Sequence, residues 1–182
     1  MKKKCIVVNL GGGPGTGKSI IASEIFVRLK REFVSCEISS EYIKRKIRED
    51  ARKVIQNQIY IFAKQQFQLF GMKDNVDVII TDSPIFLSAV YDETQCPHLL
   101  ALIMKEYNSY KNLTYYIERD TKVAYEQEGR YQDETGAKLV DDKVKNFMIE
   151  NKIEYKTLKG IGQDSLSIVV DDVMKSLATL IV

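Results

Sequence analysis

The chain has 182 residues, 45% of them hydrophobic, which suits one domain with a sizeable core. Its net charge of +2 does not demand a nucleic-acid or membrane partner, and no stretch approaches the ~18 apolar residues of a membrane span. The basic start precedes too few apolar residues for a signal peptide. The three cysteines fit no metal site by their spacing. We therefore expect reduced thiols in a cytoplasmic, single-domain protein, residues 1–182.

The first predicted strand leads into a glycine-rich loop. Residues 5–10 form a short apolar run, as expected of a buried parallel strand. Gly-Gly-Pro-Gly-Thr-Gly-Lys-Ser follows at 12–19 and fits the pattern G-x-x-x-x-G-K-[ST], and spaced apolar residues then predict a helix to about Lys30. Glycines let backbone amides approach an anion, and the helix N-terminus adds positive potential. The loop therefore predicts a site for ATP or another nucleoside triphosphate.

The residue types of this loop assign roles to its members. Lys18 is expected to reach the β- and γ-phosphates, and the Ser19 hydroxyl to ligate Mg²⁺. A glycine turn at 160–162, after the last predicted strand, is expected to border the adenine. The predicted nucleotide-binding residues are Gly12, Gly13, Pro14, Gly15, Thr16, Gly17, Lys18, Ser19 and Ile20.

A second strand is predicted at 33–37, with Glu37 at its carboxyl end. Ligands of open α/β sheets bind beyond such ends, which makes Glu37 a candidate catalytic acid. A helix follows, and its basic run at 44–48 is interpreted as a solvated face or as a patch for polyphosphate or nucleic acid. Asp50 is predicted to cap a further helix that ends at Gly71.

A third strand, 76–81, is followed at once by Asp82. A carboxylate at the end of a hydrophobic strand suits a phosphate-loop enzyme, where it holds Mg²⁺ or activates an acceptor hydroxyl. The alternative is that Asp82 caps a helix before Pro84.

Two arginines follow the fourth predicted strand, 113–117. Arg119 comes directly after it, and Arg130 lies in a charged stretch with little apolar periodicity. We expect a mobile lid at about 119–137, in which both guanidinium groups are candidates to contact phosphate. The alternative for each is an arginine exposed on the surface. Beyond it, the pattern predicts a helix at 140–149, a strand at 154–158, and a last helix from Ser165 or Ser167 to about residue 180.

The alternation of five strands with helices predicts a parallel sheet with right-handed crossovers. The expected fold is a P-loop NTPase domain, a three-layer α/β/α sandwich, with nucleotide at the carboxyl edge of its five-stranded sheet.

The motif Glu37-x-x-x-Glu41-Tyr42 begins at the end of the second predicted strand. With this motif and the phosphate loop, the chain resembles, from residue 7 to about 177, the P-loop kinase domain that phosphorylates nicotinamide riboside in bifunctional NAD-salvage proteins, and its stand-alone relatives, some of them in bacteriophages. The family's pattern is E-x-x-R-E-Y, and here Ser40 stands in place of the arginine. The segments 58–61, 105–107 and 128–131 and the acid at 82 also match, although the arginine of the family's Asp-Gly-x-Arg falls one position early, at 130. The resemblance implies substrate contacts by Glu37, Glu41, Tyr42 and Gln58.

The acceptor region departs from that family, because Asp82-Ser83-Pro84 replaces its Asp-Thr-Asp. The fused adenylyltransferase domain is also not found in the sequence. We therefore expect a kinase whose acceptor is a nucleoside-like molecule, with Asp82 on Mg²⁺ and Glu37 on the acceptor hydroxyl. A nucleotide or a hydroxymethylated base in DNA remains an alternative acceptor. A nucleotide-driven switch ATPase is the alternative from another class, although only one acid follows the third strand.

Overall fold

The computed structural model describes residues 5–40, 42, 52–120 and 134–180. The described strands are β1 (Ile6–Gly11), β2 (Cys36–Ser39), β3 (Val78–Thr81), β4 (Lys111–Glu118) and β5 (Lys156–Lys159). The described helices are α1 (Lys18–Arg31), α2 (Arg52–Gln56), α3 (Gln58–Met72), α4 (Leu87–Val90), α5 (Pro97–Tyr107), α6 (Glu134–Glu150) and α7 (Gln163–Ala178). Among these ranges, no helix is both long and apolar enough to cross a bilayer.

The five strands form one parallel sheet in the order β2-β3-β1-β4-β5. The central strand β1 is buried along its whole length, which explains why its sequence is apolar apart from Asn9. Its neighbours are β3 on one side and β4 on the other. The carboxyl end of β1 therefore delivers the glycine loop to the middle of the sheet edge.

Two apolar clusters cover the two faces of the sheet and confirm the predicted three layers. On one face, α1 and α7 pack against the sheet through Ile21, Ile25, Leu29, Val169 and Val173. On the other, α3, α5 and α6 contribute Phe62, Leu69, Ile103, Val144 and Met148. Cys5 and Cys36 are buried in these clusters as small apolar fillers.

The second strand begins later than predicted, because α1 ends in a tight turn. The Val34 amide donates to Leu29 O at 3.0 Å, and Phe33 is left-handed with φ 58° and 97% exposed. These residues therefore terminate α1 instead of starting a strand. As a result, Glu37 is the second residue of β2 and not its last, and it pairs in register with Ile79.

The predicted helix ending at Gly71 is instead interrupted at Asn57. The Asn57 side-chain oxygen accepts the Tyr60 amide at 3.0 Å, so a new helix, α3, starts at Gln58. Gly71 lies inside α3, and Lys73 is the C-cap. The C-cap prediction was therefore wrong, and Asp50, the predicted N-cap, lies outside the described residues.

Replacing Asn57 with alanine should lower the free energy of unfolding by about 1 kcal/mol, because the Tyr60 amide loses its acceptor. Urea denaturation measures this change. The matched control is Asn57→Asp, which keeps a capping oxygen and should remain close to wild type. Equal stability of the alanine and aspartate variants would show that this cap contributes nothing.

Candidate nucleotide-binding and phosphotransfer site

The glycine loop turns from β1 into α1 through backbone conformations that only glycine adopts readily. Gly12, Gly15 and Gly17 have φ angles of 144°, 81° and 87°. Gly17 is also the N-cap of α1, where it offers no side chain, and the first turn of the helix carries no acid. Helices usually start with a capping oxygen, so this start is suited to an anion from outside the chain.

The Lys18 ammonium group lies over this loop. Its Nζ donates hydrogen bonds to Gly12 O at 2.8 Å and to Gly13 O at 2.6 Å. The Thr16 hydroxyl also donates to Gly13 O, at 3.1 Å. A cation is thereby held beside the N-terminus of α1, and together they form a strongly positive site. Ser19 and Ile20 are exposed on the first turn of the same helix.

Helix α6 approaches the loop at Gly13, which sequence reasoning did not anticipate. The Gly13 amide donates to Asp141 Oδ1 at 2.8 Å. A Cβ atom at Gly13 would lie 2.7 Å from Ala137 O and would also collide with the Asp141 carboxylate. Glycine is required here for close approach and not for a left-handed backbone.

Arg119 completes a part-buried network with the same carboxylate. Its Nε donates to Asp141 Oδ2 at 2.7 Å, and its Nη2 donates to Asp141 Oδ1 at 3.2 Å and to Pro14 O at 2.7 Å. Both side chains are 12% exposed. We call Gly13, Pro14, Arg119 and Asp141 the Asp141 network. Arg119 thus lies against the phosphate loop, and its contact with phosphate stays a prediction.

Asp82 follows β3 directly and is 4% exposed. Since Asn9 pairs with Thr81, Asp82 continues alongside the end of β1, at the root of the loop. The next described helix starts at Leu87 with Phe86 as its N-cap, so Asp82 does not cap it.

The oxygens of Asp82 and Ser19 suit Mg²⁺, which prefers hard oxygen ligands. In the described ranges, no three His, Cys, Asp or Glu side chains cluster in a way that could hold a metal. Mg²⁺ that accompanies a nucleotide is usually bound by one or two protein oxygens together with phosphate oxygens.

Glu37 does not stand where the sequence placed it. Its register with Ile79 leaves it short of the sheet edge that Thr81 and Asp82 reach. Its carboxylate is half-exposed and lies 3.9 Å from Lys30 Nζ, in the last turn of α1. Because α1 runs away from the phosphate loop, this contact is at the opposite end of the helix from Lys18. The prediction that Glu37 ends β2 in the cleft was wrong, and its acceptor role loses that support.

Gln65 instead connects the segments that follow β2 and β3. Its Nε2 donates to Ser83 O at 3.2 Å and to Ser40 O at 3.5 Å, while its Oε1 accepts the Tyr42 amide at 3.3 Å. The side chain is buried. One amide thus fixes the two backbone segments beside Asp82.

Aromatic rings border the same region. The hydroxyl groups of Tyr42 and Tyr60 are 2.9 Å apart, and their rings meet edge to face. Gln58, a predicted substrate contact, is buried at the start of α3. Glu41, Arg130 and the basic run 44–48 lie outside the described residues. So does the predicted lid apart from 119–120 and 134–137, and residues 134–137 belong to the first turn of α6.

The turn after β5 packs against the loop, as its predicted place beside the adenine requires. A Cβ atom at Gly17 would lie 2.7 Å from Ile161 Cδ1. The Ile161 side chain is 42% exposed and offers an apolar surface next to the start of α1. Adenine contact itself stays a prediction.

Two residues of the site were missed by sequence reasoning, Asp141 and Gln65. A signal for Asp141 existed, because it falls on the buried face of α6 between Ala137 and Val144, where an acid needs a partner. Gln65 is one of several glutamines in the same predicted helix, and their spacing does not show which of them faces the site.

Comparison with known proteins gives one family match. The family described as "AAA domain" matches residues 7–164. The chain belongs to this AAA domain family. No curated protein matches the chain in sequence.

Solved structures with a similar fold include two kinases. Deoxyadenosine kinase from M. mycoides with the products dCMP and dCDP superposes with a TM-score of 0.53 and 20% identity, covering 96% of this chain and 98% of that one. The same enzyme with bound dATP superposes with a TM-score of 0.55 and 19% identity, covering 95% of this chain and 98% of that one. The Cys556Ala mutant of the APS kinase CysC from Mycobacterium tuberculosis superposes with a TM-score of 0.51 and 13% identity. This match covers 94% of this chain and 98% of that one. The fold of this chain is therefore the α/β fold of P-loop kinases.

Replacing Gln65 with leucine should expose the Tyr42 amide to solvent exchange, because that amide loses its acceptor. We expect exchange about ten-fold faster, the effect of losing one typical hydrogen bond. Amide exchange followed by NMR measures it. Gln66→Leu is the matched control, because Gln66 bonds to Glu106 and not to this region. Equal exchange rates of the Tyr42 amide in the two variants would show that Gln65 does not hold this segment in place.

Proposed function

We propose that this chain is a P-loop phosphotransferase that moves the γ-phosphoryl group of ATP, or another nucleoside triphosphate, to a hydroxyl group of a nucleoside-like small molecule. One observation carries the proposal. Lys18 is held over a glycine loop at a helix start that has no side-chain cap, and the buried Asp82 follows the neighbouring strand. The fold shared with deoxyadenosine kinase and APS kinase supports it.

Phosphoryl transfer needs positioning and charge neutralisation more than covalent chemistry from the protein. Loop amides and the N-terminus of α1 would bind the phosphates, and Lys18 would leave its carbonyl partners to neutralise the oxygens of the transferred group. Asp82 and Ser19 would hold Mg²⁺, which would supply positive charge to offset the negative charge of the phosphate oxygens. With Glu37 away from the sheet edge, Asp82 is also the described carboxylate best placed to orient an acceptor hydroxyl.

A nucleoside-like acceptor suits the polar and aromatic groups beside Asp82. The rings of Tyr42 and Tyr60 offer faces and edges to a heteroaromatic base, and their hydroxyls offer hydrogen bonds. The M. mycoides enzyme is named for deoxyadenosine. Nicotinamide riboside, the acceptor of the family that the sequence resembles, is one specific candidate.

An acceptor screen with γ-labelled ATP tests the proposal. The panel contains nucleosides including nicotinamide riboside, nucleoside monophosphates, and DNA with hydroxymethylated bases. We expect label transfer to a nucleoside and little hydrolysis in its absence. Fast hydrolysis that no acceptor stimulates would instead indicate a switch ATPase, and label found only in DNA would indicate a nucleic-acid kinase.

Replacing Lys18 with alanine should reduce turnover by about a hundredfold or more, the usual cost of removing one group that stabilises transition-state charge. Steady-state transfer assays measure it. Lys30→Ala is the matched control, since Lys30 lies in the last turn of the same helix. Wild-type turnover in a folded Lys18→Ala protein would contradict the phosphotransferase assignment.

Replacing Asp82 with asparagine should lower kcat and raise the Mg²⁺ concentration needed for half-maximal activity, because a neutral amide binds the ion weakly. Titrating Mg²⁺ at saturating ATP separates the two effects. Glu37→Gln removes a carboxylate from the neighbouring strand and should change neither value. If Glu37→Gln lowers kcat and Asp82→Asn changes neither value, the site has been assigned to the wrong residues.

A further inference from the structure

We propose that Asp141 is a positioning residue for the phosphate loop. Together with Arg119 it fixes the backbone at Gly13 and Pro14, so that the loop amides are already arranged for a nucleoside triphosphate. The inference rests on the proposed function in one respect, that the loop binds such a nucleotide.

The Asp141 network holds two successive loop residues, Gly13 through its backbone amide and Pro14 through its backbone carbonyl. Asp141 accepts the Gly13 amide at 2.8 Å, and Arg119 donates to Pro14 O at 2.7 Å. The two side chains join through Nε–Oδ2 and Nη2–Oδ1 contacts of 2.7 and 3.2 Å. Such two-point pairs fix direction as well as distance.

A glycine-rich loop needs such an anchor. Gly12, Gly15 and Gly17 give the loop wide backbone freedom, and a ligand that has to order it loses affinity. The two anchored residues lie between Gly12 and Gly15, so the network restrains the glycine-rich segment itself.

Electrostatic attraction does not explain the acid. A carboxylate bonded to a phosphate-loop amide repels the phosphates that this loop would bind. Its pairing with Arg119 offsets that charge, and the pair as a whole is close to neutral. What remains of its effect is geometric, and the close fit of Gly13 against Ala137 and Asp141 supports this.

Helix α6 is itself fixed beneath the loop. Ala137, Val144 and Met148 are fully buried against the sheet, and the Tyr116 hydroxyl donates to Asp141 O at 3.4 Å. Burial, with the nearby acids Asp141, Asp142 and Glu118, raises the pKa of Tyr116 to about 12, so this hydroxyl keeps its proton. The network therefore ties the loop to a helix that is packed into the core.

Calorimetric affinities for a non-hydrolysable ATP analogue with Mg²⁺ test the proposal. Asp141→Asn and Arg119→Gln change the net charge in opposite directions. If the network positions the loop, both variants weaken binding, by about ten-fold each. If charge alone acts, Arg119→Gln weakens binding and Asp141→Asn strengthens it, which would overturn the proposal.

Asp142→Asn is the matched control, because it makes the same charge change at the next, exposed position of α6 and should leave the affinity unaltered. The double variant Asp141→Asn/Arg119→Gln should bind no more weakly than the poorer single variant, since both act through one network. Additive losses would contradict this.

Thermal unfolding shows whether each variant is folded. If Asp141→Asn is not, Arg119→Lys replaces it in the comparison. Lysine keeps the charge but lacks the planar group whose two nitrogens pair with both oxygens of Asp141. Binding should therefore weaken, and an unchanged affinity would overturn the proposal. Wild-type protein that does not bind the analogue would overturn the proposed function. Wild-type binding with an unchanged Asp141→Asn affinity would overturn only this inference.

Discussion

The hydrogen bond from the Gly13 amide to Asp141 links the phosphate loop to the helical layer opposite the one it enters. The loop leaves the buried central strand β1 and continues into α1 on one face of the sheet, while α6 packs on the other face. This contact, like the one from Arg119 to Pro14 O, holds the loop at a point between its two ends. The arrangement of the donor site therefore depends on both layers.

The two sides of the cleft are built by different means. On the proposed donor side, glycines, a helix start and the part-buried Arg119–Asp141 pair would define where phosphate oxygens lie. On the acceptor side, the single amide of Gln65 ties together the segments that follow β2 and β3, next to Asp82. Since the donor half is generic to phosphate-loop proteins, the proposed function places recognition of the acceptor in the half around Tyr42, Tyr60 and Gln65.

Local sequence patterns were sufficient to predict the fold and the phosphate loop. They were insufficient to predict contacts between residues that are far apart in the sequence. The five strands and the phosphate loop follow from apolar runs and a contiguous motif, and the strands at 76–81, 113–117 and 154–158 were placed within two residues. Glu37 was misplaced because Phe33 adopts a left-handed conformation that closes α1, which a strand-like composition conceals. The contact of Asp141 with Gly13 spans 128 positions, and no local pattern encodes it.

Crystal structures of the protein alone and with Mg²⁺ and a non-hydrolysable ATP analogue test the central claim, that the loop is arranged by the protein before nucleotide binds. The account predicts that the Gly13–Asp141 and Pro14–Arg119 bonds are the same length in both, with the β- and γ-phosphates on the amides at the start of α1. A loop whose Gly13–Asp141 bond forms only with the nucleotide, or phosphates bound elsewhere, would contradict it.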